Sequence, residues 1–167
     1  MRIRPETTTD RAAVRAVNEA AFGTSVEADL VEAIRSKKTT LVSLVADADG
    51  KVVGHILFSP VSMSEQPRLN VMGLGPMAVA PDHQRSGIGS ALVREGLKRC
   101  KGLGCQAVVV VGHPEYYPRF GFVPAAKHAL RSEYDVPAEV FMVVELEAGA
   151  LTGVSGLVRY DDAFGNA

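Results

Sequence analysis

Residues 70–111 constrain this chain more than any other stretch. A strand candidate over about Asn70 to Ala80 leads into a helix over roughly Gly87 to Lys101, and the helix leads into the run Ala107–Val111. That run is apolar at every position, the pattern of a parallel strand buried on both faces. Strand, helix and strand in this order make a right-handed βαβ unit. Within the helix, Ile88, Leu92, Gly96 and Cys100 fall on one stripe, flanked by Ala91, Val93 and Leu97, while Arg94, Lys98 and Lys101 mark the solvated side. Gly102 and Gly104 end it.

The flanking sequence supplies antiparallel strands and further helices. Ile3 lies in a short opening strand candidate. Thr8, Thr9 and Asp10 offer caps for a helix from about Arg11 to Ala21, and Leu30, Val31 and Ile34 give a second helix its apolar stripe. Asp49-Gly50 stands between two runs rich in β-branched residues, Leu41–Ala46 and Lys51–Phe58, a strong hairpin signal. Phe122-Val123 and Val140–Leu146 read as closing strands, and a short helix is expected from Pro114. The expected fold class is therefore α/β (α+β), a mixed sheet with helices on its faces and a central βαβ unit. The domain is expected to span residues 1–147, followed by a Gly- and Ala-rich tail, 148–167, without a clear period.

Composition narrows the function classes. The chain has 167 residues, 47% hydrophobic and 22% charged, which suits one globular domain and excludes a disordered chain. Lys and Arg total 18 against 19 Asp and Glu, so binding of nucleic acid through bulk positive charge is not expected. Met1 to Asp10 has no apolar core of the secretory-signal kind, and the uncharged stretch within Leu69 to Pro81 is too short and too rich in Gly and Pro to cross a membrane. Cys100 and Cys105 fit neither a disulfide framework nor a zinc knuckle, so no metal is expected and a reducing cytoplasm is the simple setting. Both cysteines are expected to be buried rather than to carry acyl groups.

The chemistry is concentrated in Val79-Ala80-Pro81-Asp82-His83-Gln84-Arg85-Ser86-Gly87-Ile88-Gly89-Ser90. A strand ends, the chain turns, and glycines open a helix. The first turn of a helix carries unpaired N–H groups and the positive end of the helix dipole, a ready site for a pyrophosphate. Gly87 and Gly89 remove the Cβ atoms that would hold a phosphate away; the alternative is that they only permit close helix–sheet packing. A P-loop would need a Lys after the glycines, and a Rossmann fingerprint a small residue where Leu92 stands.

Gln84-x-x-Gly87-x-Gly89 after a strand resembles the coenzyme A motif of the GNAT superfamily of acetyl-CoA-dependent N-acetyltransferases. Tyr117-Pro118-Arg119-Phe120-Gly121-Phe122 is similar to the family's second signature, a Tyr shortly before Gly-Phe. The order of elements from Ile3 to Leu146 matches as well. The resemblance implies a GNAT fold that holds acetyl-CoA where the strands ending near Val79 and Val111 splay apart. Backbone groups of Met77, Ala78 and Val79 would pair with the pantetheine arm. Those of Arg85, Ser86, Gly87, Ile88, Gly89 and Ser90 would hold the pyrophosphate, with Gln84 at the turn.

The same resemblance implies transfer of the acetyl group to an amine by direct attack, with Tyr117 as general acid toward the leaving thiolate; the alternative for Tyr117 is a packing aromatic. Asn70 to Ala80 contains no acidic residue, so the Glu base of some relatives has no counterpart there. His113, just after the buried strand, is the candidate base, or else a cap of the short helix; Glu115 is a weaker candidate. His55 reads as a core residue. The acceptor, a small-molecule or peptide amine, is expected to meet residues about 11–36 and loops such as Ser62–Leu69. A homodimer is one arrangement open to such a chain. A non-catalytic module that binds acetyl-CoA and regulates a partner is the alternative function.

Overall fold

The computed structural model describes residues 1–37 and 39–166. A short opening strand, β1 (Arg2–Pro5), leads into α1 (Arg11–Phe22) and α2 (Val26–Arg35). The hairpin follows as β2 (Val42–Ala48) and β3 (Lys51–Met63). Asp49 and Gly50 both take positive φ, 53° and 87°, as the tightest two-residue connection requires. Then come β4 (Val71–Val79), α3 (Ile88–Gly102) and β5 (Ala107–Val111), with β4 and β5 parallel. The chain closes with β6 (Val123–Pro124), β7 (Leu130–Ser132), β8 (Phe141–Glu145) and β9 (Gly156–Arg159). The sheet order is β1-β2-β3-β4-β5-β8-β6, and β9 joins the far end of β3 to β7.

Burial on both faces explains the apolar runs. On one face α3 lays Ile88, Leu92, Val93 and Cys100 against Leu44, Ala46, Ile56 and Phe58. On the other, α1 and α2 bring Val14, Leu30 and Ile34 to Val45, Leu57 and Ala78. Beyond them on that second face, under Val109 and Val143, lie Leu130, Leu151 and Val158. Residues 148–166, aperiodic in sequence, thus carry a strand and part of the core: Leu151 and Val158 are buried.

Gly96 is set by the α3–sheet contact. A Cβ there would stand 2.1 Å from Cε1 of Phe58. Gly96→Ala therefore forces Phe58 out of its place and is expected to destabilise the fold by about 1–3 kcal/mol, read from urea unfolding. An unchanged midpoint would show that the helix–sheet spacing is not held by this contact.

Two short elements differ from expectation. No α-helix starts at Pro114; a 3₁₀ turn spans Tyr117–Phe120 with Pro118 in its first turn, where a missing N–H has no intrahelical bond to lose. The spacing of Thr24 and Glu27 also suits a capping box, but Ser25 stands at the N-cap of the second helix without a side-chain cap bond, while the hydroxyl of Thr24 donates to Glu27 at 3.2 Å.

His55 lies fully buried in a directed hydrogen-bond chain. Nδ2 of Asn18 donates to the carbonyl of Val14 at 3.0 Å, which fixes the amide, and reaches Nδ1 of His55 at 3.4 Å. Nδ1 thus accepts, and Nε2 donates to Oγ of Ser43 at 2.9 Å. Ser43 in turn donates to Glu6 at 2.8 Å, and Arg35 pairs with the same carboxylate. Burial, with a smaller contribution from Arg35, pushes His55 down from 6.5 to about 3. The native state thus keeps it neutral while the unfolded chain takes up a proton below about 6.5. Stability is expected to fall by about 2 kcal/mol between about pH 7.5 and about pH 5, read from denaturant titrations. A flat profile over that range would contradict a neutral buried His55.

Candidate active site

The site grows from a fault in the sheet. β4 pairs with β5 from Val71↔Ala107 to Leu74↔Val110 and then no further. At that point β4 carries an irregularity in its pairing with β3, whose register shifts between Ile56 and Phe58. From Gly75 onward β4 stays with β3, so Met77, Ala78 and Val79 face Ile56, His55 and Gly54 on one side and have no strand on the other. Val111, the next residue on β5, is 45% exposed. A gap opens between the two parallel strands at their C-terminal ends, the end at which ligands enter parallel sheets.

On one face of this gap stands the start of α3. Arg85 and Gly87 both adopt positive φ, 63° and 88°, and Gly87 caps the helix in the left-handed region. The first intrahelical bond runs from Ala91 to the carbonyl of Gly87 at 3.0 Å. The six backbone N–H groups from Arg85 to Ser90 meet no protein acceptor among the described residues. Added Cβ atoms show what the glycines do. At Gly87 a Cβ would meet nothing within 4 Å, so the space beside it is open. At Gly89 it would stand 3.3 Å from the hydroxyl of Tyr116. A row of free donors, open space and the positive helix end fit a pyrophosphate. The other side chains of the turn shape it: Gln84 donates to the carbonyl of Val79 at 3.0 Å, and the hydroxyl of Ser86 donates to the carbonyl of His83. One acceptor at the end of β4 is thus already engaged by Gln84. Ile88 is buried and anchors the turn to the core.

Tyr117 packs into the core on the same face of the sheet as α3. Its ring packs edge-on to Phe122 and Tyr116, with centroids 5.5 and 5.1 Å apart. A Cβ on Gly112 would stand 2.4 Å from that ring, which explains glycine at the end of the buried strand. Only 7% of Tyr117 is exposed, and burial pushes its phenol up to about 12, so it keeps its proton at neutral pH. Its hydroxyl has no side-chain partner among the described residues. Tyr116 is the neighbour that the sequence motif does not single out. Its hydroxyl lies 3.1 Å from Oγ of Ser90 and its ring carries the guanidinium of Arg119 at 4.5 Å. The pair of adjacent tyrosines is visible in the sequence, but which one is buried is not.

His113 is exposed at the turn after β5, two residues past Val111. Its carbonyl accepts the N–H groups of Tyr116 and Tyr117 at 3.1 and 3.3 Å, so its backbone caps the turn that carries both tyrosines while its ring stays in solvent. Glu115 is exposed as well. Cys100 and Cys105 are free and buried, and the hydrogen bond with Cys105, then burial, push the Cys100 thiol up. Among the described residues no group of three His, Cys, Asp or Glu side chains is placed to hold a metal ion, and no helix is long and apolar enough to cross a membrane.

The opposite face of the gap holds a cleft of about 380 Å³. Leu74, Gly75, Pro76 and Val111 form its floor, and Leu30 of α2 one wall. The rest comes from Tyr134, Val136, Tyr160, Phe164 and Gly165. The loop 62–69, expected beside the acceptor, lies before β4 and hence at the other end of that strand. There Ser64 bonds the backbone of β9 instead. The signal that was available is the pair Tyr160 and Phe164, aromatic residues four apart in the tail.

Comparison with known proteins agrees with this architecture. Residues 11–122 match the profile described as the acetyltransferase (GNAT) family. The uncharacterized N-acetyltransferase YhbS of Escherichia coli is 38% identical over 165 residues, covering 98% of each chain. The uncharacterized N-acetyltransferase YjhQ of the same organism is 37% identical over 162 residues, covering 92% of this chain and 88% of that one. The crystal structure of E. coli YhbS in complex with CoA superposes with a TM-score of 0.94 at 37% identity, over 98% of this chain and 91% of the other. A GNAT family acetyltransferase from Brucella melitensis in complex with acetyl-CoA gives 0.82 at 36% identity, over 98% and 97%. With its mixed sheet, its βαβ unit and the opening between β4 and β5, the chain belongs to the GNAT acetyltransferase family.

Proposed function

We propose that this protein transfers the acetyl group of acetyl-CoA to a primary amine by direct attack, with the gap between β4 and β5 as the passage between donor and acceptor. The observation that carries the reading is the row of six unpaired N–H groups, Arg85 to Ser90, at the mouth of a sheet that has lost its pairing. The complexes of similar proteins with CoA and acetyl-CoA support it. Bound acetyl-CoA supplies an activated acetyl thioester.

The chain's own residues do the rest. The amides of Arg85 to Ser90 hold the diphosphate and fix the donor's position. The unpaired edge of Met77 to Val79 offers backbone groups to the pantetheine arm, although Val79 already accepts from Gln84. Tyr117 holds a proton on Oη and yields it to the departing sulfur; burial keeps that proton in place until a thiolate forms. His113, in solvent beside Val111, takes the proton of the amine directly or through water. Replacing it with Ala is expected to lower kcat about tenfold or more without changing acetyl-CoA affinity. Unchanged turnover would leave proton removal to water.

Thiol release from acetyl-CoA, followed with a panel of amines and with mass analysis of the products, tests the reading. Amine-dependent release with a matching acetylated product is expected. Tight acetyl-CoA binding with no release for any amine would instead favour a regulatory module that only holds the ligand.

A further inference from the structure

The cleft on the far side of the gap has a chemistry of its own. Its outer wall is aromatic: Tyr134 and Tyr160 stack with centroids 5.7 Å apart and an interplanar angle of 30°, and Phe164 follows at 5.4 Å from Tyr160. Leu30, Val111 and Val136 complete an apolar lining. Tyr134 is 37% exposed, so its ring is accessible to a ligand. The hydroxyl of Tyr160 is sealed from solvent and has no hydrogen-bond partner among the described residues. Three carboxylates lie near the hydroxyl of Tyr134, at the outer edge of this wall. Burial first, then Glu133, Asp162 and Asp161, push the phenol of Tyr134 up. Glu133 accepts the backbone N–H of Tyr160 at 2.6 Å, and Asp161 pairs with Lys37 at 2.9 Å, which ties this segment to the end of α2.

Resting on the acetyl-transfer reading above, we propose that this cleft is the amine subsite and that it selects primary amines whose amino group is carried on an apolar body, a ring or an alkyl chain. The floor of the cleft, Leu74 to Pro76 and Val111, is the lip of the gap itself, so a bound amine stands next to the opening through which the donor is reached. Aromatic faces favour both hydrocarbon and an approaching ammonium group, and the rim carboxylates favour the positive charge of the arriving amine. A sugar or polyhydroxylated amine would bring hydroxyls to an apolar wall that has few polar partners for them. A cleft of about 380 Å³ has room for a ring and a short linker.

The test uses the full chain saturated with CoA, so that amine binding is read without turnover. Phenethylamine and hexylamine are titrated calorimetrically beside ethanolamine. Phenethylamine and hexylamine are expected to bind at least about tenfold more tightly than ethanolamine. Tyr134→Ala is expected to erase that preference, and Tyr134→Phe to retain it. Tyr134→Phe should keep the wild-type melting temperature, Tyr134→Ala should lower it slightly through the lost stacking on Tyr160, and both should keep the wild-type acetyl-CoA affinity. Equal binding of the three amines, no binding of either apolar amine, or an unchanged preference in Tyr134→Ala overturns the subsite. The two readings separate cleanly in a turnover assay. If phenethylamine binds with the expected preference and no amine of the panel is acetylated, the cleft stands as an amine-binding site and the transfer reading falls. If a polar amine is acetylated while the apolar amines neither bind nor react, the transfer reading stands and the subsite falls.

Discussion

Tyr117→Phe is expected to lower kcat by at least about 10²-fold while acetyl-CoA affinity stays near wild type. Phe keeps the ring, and with it the edge-on contacts to Phe122 and Tyr116 and the fit over Gly112. What disappears is a hydroxyl that holds its proton up to about 12 and has no side-chain partner among the described residues. Its help therefore belongs to the step in which a thiolate leaves, and its loss shows in turnover rather than in binding. The 3₁₀ turn strengthens this expectation. Pro118 lies in its first turn, and the carbonyl of His113 accepts from both tyrosines, so the ring is held in place. Equal rates for the two proteins, measured with a working amine, would assign proton delivery elsewhere. Tyr116 would then be the next residue to test, because its hydroxyl reaches Ser90 on α3.

The second large effect concerns Gly87. Gly87→Val is expected to weaken acetyl-CoA binding by at least about 10²-fold. Hydrogen bonds to a charged group are worth about 1.5–3 kcal/mol each, and displacing the diphosphate from two N–H groups is enough for that loss. Two causes act together. Gly87 has φ of 88°, a conformation hostile to a β-branched residue, and the open space beside it would be filled by the new side chain. Beyond its chain neighbours, no described atom lies within 4 Å of an added Cβ, so the new side chain starts in open space rather than in the core. The variant should fold, as circular dichroism will report, yet lose the rise in melting temperature that acetyl-CoA is expected to give the wild type. A folded variant that keeps the full shift would place the diphosphate away from this turn.

The fold was legible where a local pattern has few physical solutions. Ala107–Val111 has no polar residue to offer water, so it had to be covered on both faces. Asp49-Gly50 allows both residues positive φ. Gly87 and Gly89 open a helix directly after a strand. The tail was not legible for the opposite reason. Leu151 and Val158 are buried by distant partners, and β9 is held by β3 and by a parallel pairing with β7. Neither of these contacts leaves a period in the sequence. The cleft beside the gap shares that origin, since Tyr134, Tyr160 and Phe164 meet only after the tail has docked. Pro114 misled as a helix start because two prolines four apart also suit a tight turn, and the burial of Tyr117 decided between them.

Amide NMR of isotope-labelled protein titrated with CoA reads the central claim most directly, because it observes the N–H groups from Arg85 to Ser90 one by one. These amides should shift together at saturation, with the largest changes at Gly87 to Gly89, and Met77 to Val79 and Val111 should respond as the strands of the gap are engaged. Binding that leaves the amides of Arg85 to Ser90 unmoved, or that moves another surface instead, would contradict it.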